Sequence, residues 1–127
     1  MLRGSGYGYF VNASNTILVC KPDKKDEASQ IFHGTGIKFA DGARHLGGVI
    51  GASSFIENYV TEKISGFCKE IELLSHVAET SPQAAHAANV HGLRHSWRFL
   101  QRTVQDVSKA FEPLETVIKQ RFIPALL

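Results

Sequence analysis

Three arginines recur at every fourth position late in the chain, Arg94, Arg98 and Arg102. On an α-helix, at ~100° per residue, this spacing confines them to an arc of about 80° with ~6 Å of rise between successive side chains. Guanidinium groups in such a line suit the phosphates of a nucleic-acid backbone, because each carries a planar fork of donors that matches phosphate oxygens. His91 and His95 fall on the same side in this reading. Leu93, Trp97, Leu100 and Val104 gather on a neighbouring face, which would be buried. The competing readings are a solvated face without acidic partners, or arginines that pair with Glu112, Glu115 or an acidic helix and only hold helices together.

Other arrangements that could do chemistry are thin. His86, His91 and His95 are spaced by five and four, so His91 and His95 could share a helical face. Zinc would need a third ligand of good geometry, and Gly92 softens the helix between them. Surface or structural histidines, and no metal, are the expectation. Gly4-Ser5-Gly6-Tyr7-Gly8 is glycine-dense but follows no strand and brings no phosphate-binding lysine. His33-Gly34-Thr35-Gly36 reads as a helix stop. No acidic pair stands at a strand turn, the arrangement that holds two magnesium ions in polymerases.

The elements that must carry the arginines follow from the spacing of apolar residues. Ile56, Val60, Ile64, Phe67, Ile71, Leu74 and Ala78 recur at steps of four and three, which predicts a long helix over 54–79. Ser54-Phe55-Ile56-Glu57 reads as its capping box. Ser81-Pro82 predicts the next helix, with serine as cap and proline in the first position, running to about Arg102. A third helical stretch begins near Asp106, is kinked or restarted by Pro113 and should end at Pro124.

The first fifty residues read instead as short strands and turns. Tyr7 to Val11 and Thr16 to Cys20 predict a hairpin about the turn formers Asn12-Ala13-Ser14-Asn15. Asp23 to Phe32 reads as a helix stopped by Gly34. Ile37-Lys38-Phe39 and Leu46 to Ile50 read as a second strand pair around Asp41-Gly42. Leu46-Gly47-Gly48 itself should form a tight hairpin or strand whose backbone lies close to a partner, since paired glycines allow such approach. Strands first and helices second predict an α+β fold: a small antiparallel β-hairpin region with one helix, then a bundle of three or four helices. The expected division is 1–52 and 53–127.

Composition bounds the function without naming it. The chain has 127 residues with 43% hydrophobic and 20% charged, an ordinary globular balance that excludes long disorder and a disulfide scaffold. No run of ~18 apolar residues and no secretory signal is present, so an intracellular chain of the cytoplasm or nucleus, without membrane contact, is expected. Cys20 and Cys68 stand alone, consistent with a reduced compartment. The net charge of +2 is unevenly spread: residues 53–80 carry two basic against five acidic groups, residues 81–127 six against three. The basic excess therefore lies with the arginines.

Gly8-Tyr9-Phe10-Val11-Asn12-Ala13-Ser14-Asn15-Thr16-Ile17-Leu18-Val19 resembles the stretch that follows the catalytic acidic pair in retrotransposon reverse transcriptases of the non-LTR type. There, a glycine and an aromatic or leucine precede Asn-x-x-Lys-Thr and a hydrophobic strand. His45-Leu46-Gly47-Gly48-Val49-Ile50-Gly51 resembles the next landmark, the Leu-Gly hairpin called the primer grip. Pro82-Gln83-Ala84-Ala85, His91-Gly92-Leu93-Arg94, Pro113-Leu114-Glu115 and Arg121-Phe122-Ile123-Pro124-Ala125-Leu126 are similar to the thumb side of such enzymes. The likeness covers nearly the whole chain.

The resemblance implies the last strands of a palm followed by a thumb, a part of an RNA-directed DNA polymerase that holds an RNA/DNA primer–template duplex rather than catalysing. The catalytic acids, with the remaining palm and fingers, would then lie upstream. The parent would use Mg2+, whereas these residues need no cofactor. His45, Leu46, Gly47 and Gly48 would be the primer grip, and Arg94, Arg98 and Arg102 the nucleic-acid contacts. Asn15 stands where the family carries a lysine proposed to protonate the departing pyrophosphate, and asparagine cannot do so at neutral pH. Two alternatives stand beside this reading: a free-standing helical module binding nucleic acid or protein, and an inactive truncated product.

Overall fold

Three short residues of β-branched and aliphatic type, Ile17-Leu18-Val19, form strand β1 (Ile17–Val19), but the partner lies beyond a helix and not across a loop. In the computed structural model, which describes residues 6–10 and 12–127, β1 pairs in parallel with β2 (Lys38–Ala40), in the register Ile17↔Lys38, Leu18↔Phe39 and Val19↔Ala40. This corrects the expected hairpin with Tyr7–Val11, of which Val11 lies outside the described residues. The cause is local. The Asn12 carbonyl accepts from the Asn15 N–H at 3.2 Å and from Thr16 Oγ1 at 2.7 Å, while Ser14 Oγ donates to Asn12 Oδ1 at 2.6 Å. These bonds close a 3-10 turn over Ala13–Asn15 in place of a loop that would fold Tyr9 and Phe10 back onto β1.

A parallel pair needs a crossover, and helix α1 (Lys25–Ile31) supplies it. Pro22 opens the preceding 3-10 turn, Asp26 and Glu27 occupy the first turn of α1, and Gly34 beyond its end takes φ +76°. The second sheet is a hairpin of β3 (Gly42–His45) and β4 (Gly48–Gly51), with His45↔Gly48 closing the pair. Its reversal is Leu46-Gly47, at φ 49° and 79°, and not Asp41-Gly42. Two central residues with positive φ make a two-residue hairpin turn whose twist matches that of the strands. At the open end, Gly42 lies under the Phe55 ring and Gly51 (φ +138°) runs against the backbone of Asp41 and Gly42. The tight hairpin expected at Leu46-Gly47-Gly48 is thus present, with its reversal at Leu46-Gly47 and Gly48 opening β4.

Two compact units divide the chain, Met1–Ile56 and Glu57–Leu127. Helix α2 (Ser53–Thr80) begins in the first and supplies the longest element of the second. Its first N–H bond runs from Ile56 to the Ala52 carbonyl, so the cap is Ala52 and Ser54 lies within the first turn, off the expected capping box. Tyr59, Val60, Ile64, Phe67, Ile71 and Ala78 are buried along one face, and Leu74 is half-buried. Buried Ser75 satisfies its hydroxyl by donating to the Ile71 carbonyl at 2.8 Å.

The return helix is α3 (Pro82–Ala88), a wide π-type turn over Asn89–Leu93, then α4 (Arg94–Thr103). Ser81 stands at the N-cap with Pro82 following, although the serine hydroxyl makes no capping bond. A 3-10 turn over Ser108–Phe111 leads into α5 (Glu112–Val117), which Pro113 opens rather than kinks. A second wide turn, Ile118–Phe122, precedes α6 (Ile123–Leu126). The helix thus runs past Pro124 instead of ending there. In the wide turn the Ile123 N–H reaches back to the Ile118 carbonyl, which relieves the clash a proline ring makes one turn upstream. Leu100, Val107, Phe111, Leu114 and Phe122 complete the helical core. Thr61, Ile64 and Cys68 of α2 line a cleft with Lys109 and Pro113, and Glu72 and Glu79 line another with Arg121 and Ala125, so α5 and α6 run in the direction of α2. The fold is α+β, mostly helical with two small sheets.

Candidate nucleic-acid interface

Helix α4 holds the arginines because its apolar residues anchor the other side. Leu100 is 3% exposed and Trp97 is half-buried, as is Leu93 at the end of the wide turn. Arg94, Arg98 and Arg102 are all exposed, inside an unbroken stretch of α-helix that preserves their four-residue spacing. None of the three forms an ion pair among the described residues. Glu115 pairs with Lys119 at 3.7 Å, so it does not serve the arginines. Arg102 lies in the last turn of α4, where its charge also complements the helix dipole; Arg98 has no such duty.

The wide turn alters what surrounds the stripe. It accommodates one residue more than an α-turn, so the positions before Arg94 are rotated about the axis relative to a straight helix. His91 sits inside the turn and no longer aligns with His95 as four-residue spacing alone implies, although both are exposed, as is His86. Buried in the same turn is Asn89 Oδ1, which has no hydrogen-bond partner among the described residues. Among the described residues, no three His, Cys, Asp or Glu side chains group as metal ligands.

Phe99 is what the spacing argument overlooked. It is 45% exposed and stands beside Arg98, on the polar arc rather than the apolar one. The signal was present, since an apolar residue on a helical arc otherwise held by Arg and His faces water.

The hairpin residues belong to the first unit. His45 pairs with Gly48, Gly47 is exposed, and Leu46 projects from the tip at 87% exposure with a left-handed backbone. Asn15 is exposed at the end of the 3-10 turn, where its N–H bonds Asn12. Neither cysteine is bonded; burial and the nearby Glu72 carboxylate raise the Cys68 thiol above its ordinary pKa, which keeps it protonated. Among the described residues no helix is long and apolar enough to cross a membrane. No protein-family model, curated protein or solved structure matches the chain.

Proposed function

We propose that the chain is a nucleic-acid-holding part of a retrotransposon-type reverse transcriptase that does not perform the transfer itself, with α4 of the helical unit contacting phosphates and the Leu46-Gly47 hairpin of the first unit a separate contact. The observation that carries this reading is the row of exposed Arg94, Arg98 and Arg102 without ionic partners among the described residues. Three guanidinium groups held apart from carboxylates keep their donors available for phosphate oxygens. The sequence resemblance supplies the polymerase context, and the tight hairpin at the family's primer-grip position agrees with it. Catalysis is not assigned to these residues, which bring no acidic pair on a strand turn for two magnesium ions.

The deciding experiment is a salt titration of binding to a primer–template duplex with a single-stranded overhang. Each phosphate neutralised contributes just under ~1 to the slope of log affinity against log salt, so replacing all three arginines by alanine should lower the slope by up to about three. An unchanged slope would remove the arginines from the interface. A stand-alone helical binding module shares this stripe and the separate core of the helical unit. Under that reading, variants at Leu46 and Gly47 leave binding untouched.

A further inference from the structure

Of the large apolar side chains on α4, Leu100 is buried, Trp97 is half-buried and Phe99 remains 45% exposed. At ~100° per residue, Arg94, Arg98, Arg102, His95 and Phe99 follow one another around the axis within about 140°, with Phe99 at the edge away from Trp97. His95 and Phe99 are one turn apart and adjacent on the helix surface, as are Phe99 and Arg102. The arginine row is thus bordered on one edge by two exposed rings. A phosphate backbone laid along the arginines has two edges on which its bases can lie, and this is the one that offers exposed rings.

We propose that α4 takes an unpaired segment of nucleic acid, with phosphates on Arg94, Arg98 and Arg102 and a base stacked on the Phe99 ring next to His95. The proposal deepens the phosphate-binding reading and rests on it. Its physical basis is the contrast between the two forms of nucleic acid. Paired bases keep their faces inside the helix stack, whereas an unpaired base offers its π-face to an aromatic ring at any sequence.

The test uses the full chain and three probes of equal phosphate count: a short single strand, the same strand with abasic sites, and a blunt duplex. Stacking on one aromatic residue corresponds to roughly 5- to 150-fold in affinity, so the base-bearing strand should bind at least ~5-fold tighter than the abasic one. Phe99→Leu should bring the two strands to equal affinity with the salt slope unchanged, and Phe99→Trp should restore the difference. A fluorescent base analogue in the strand should be quenched by the parent and by Phe99→Trp, and not by Phe99→Leu. Equal binding of both strands by the unmodified chain, with a steep salt slope, would overturn the stacking proposal and leave the arginine reading standing. Tighter binding of the blunt duplex would do the same. Absence of salt-dependent binding to every probe would overturn both.

Discussion

Leu46 occupies a backbone conformation that its side chain disfavours, and nothing in the surrounding packing rewards it. Its φ is 49° and its side chain is 87% exposed at the tip of the β3–β4 hairpin. A left-handed residue with a Cβ costs roughly 1–2 kcal/mol. Full burial of a leucine stabilises by about 1.5–3 kcal/mol, so the small fraction covered here returns at most ~0.4 kcal/mol. Asparagine tolerates the left-handed region, and Asn-Gly is the preferred pair for this two-residue turn. Leu46→Asn should therefore stabilise the hairpin by about 0.5–1 kcal/mol. Amide hydrogen exchange is the suitable assay, because it reads the hairpin separately from the helical unit. The amides bonded across β3 and β4 should exchange about two- to fivefold more slowly, with those of α2 unchanged. Equal or faster exchange would refute the claim that the tip is strained. If the hairpin grips nucleic acid, the same variant should bind primer–template more weakly despite its greater stability, the trade expected where strain is kept for function.

Gly51→Ala should act in the opposite direction: a Cβ there meets the Asp41 and Gly42 backbone at φ +138°, and hairpin protection should fall by about 1–3 kcal/mol in the same exchange experiment. Cys68 should react with a thiol reagent at pH 8 more slowly in the folded chain than in urea, because burial and Glu72 raise its pKa. By linkage, the stability contributed by its neutral thiol is present below the ordinary thiol pKa and is lost as pH rises through the raised value, a slope that Cys68→Ala should remove from alkaline unfolding curves.

What the sequence disclosed was whatever depends on neighbours along the chain. The apolar steps from Val60 to Ala78 gave α2, since a single buried stripe dictates both the helix and its inner face. Gly34 and Pro82 marked helix boundaries through their permissive or fixed φ. The pairing of β1 with β2 was hidden, because local propensity identifies a strand without its partner and the two are separated by α1. The turn expected at Asp41-Gly42, where the composition is turn-like, is not the reversal of the β3–β4 hairpin; that lies within the Leu46-Gly47-Gly48 expected to form a tight hairpin, and it accepts Leu46 against its preference. Helical period arguments also assume a uniform 3.6 residues per turn, so neither wide turn was visible to them.

The wide turn at Asn89–Leu93 matters most for the candidate site, because it separates two demands on one helix. Ala85 of α3 and Leu100 of α4 must both be buried. A rigid α-helix fixes their relative angle by their separation alone, whereas one extra residue in a turn lets each segment seat its own apolar side chain. The arginine spacing lies wholly after that adjustment, within Arg94–Thr103, so its alignment is set by α4 and by the anchoring of Leu100. Half-buried Asn89 opens the turn, its Oδ1 without a hydrogen-bond partner among the described residues. What turns Arg94, Arg98, Arg102 and Phe99 toward solvent together is the seating of Leu100, with Trp97 half-buried beside it, on the other side of the same helix.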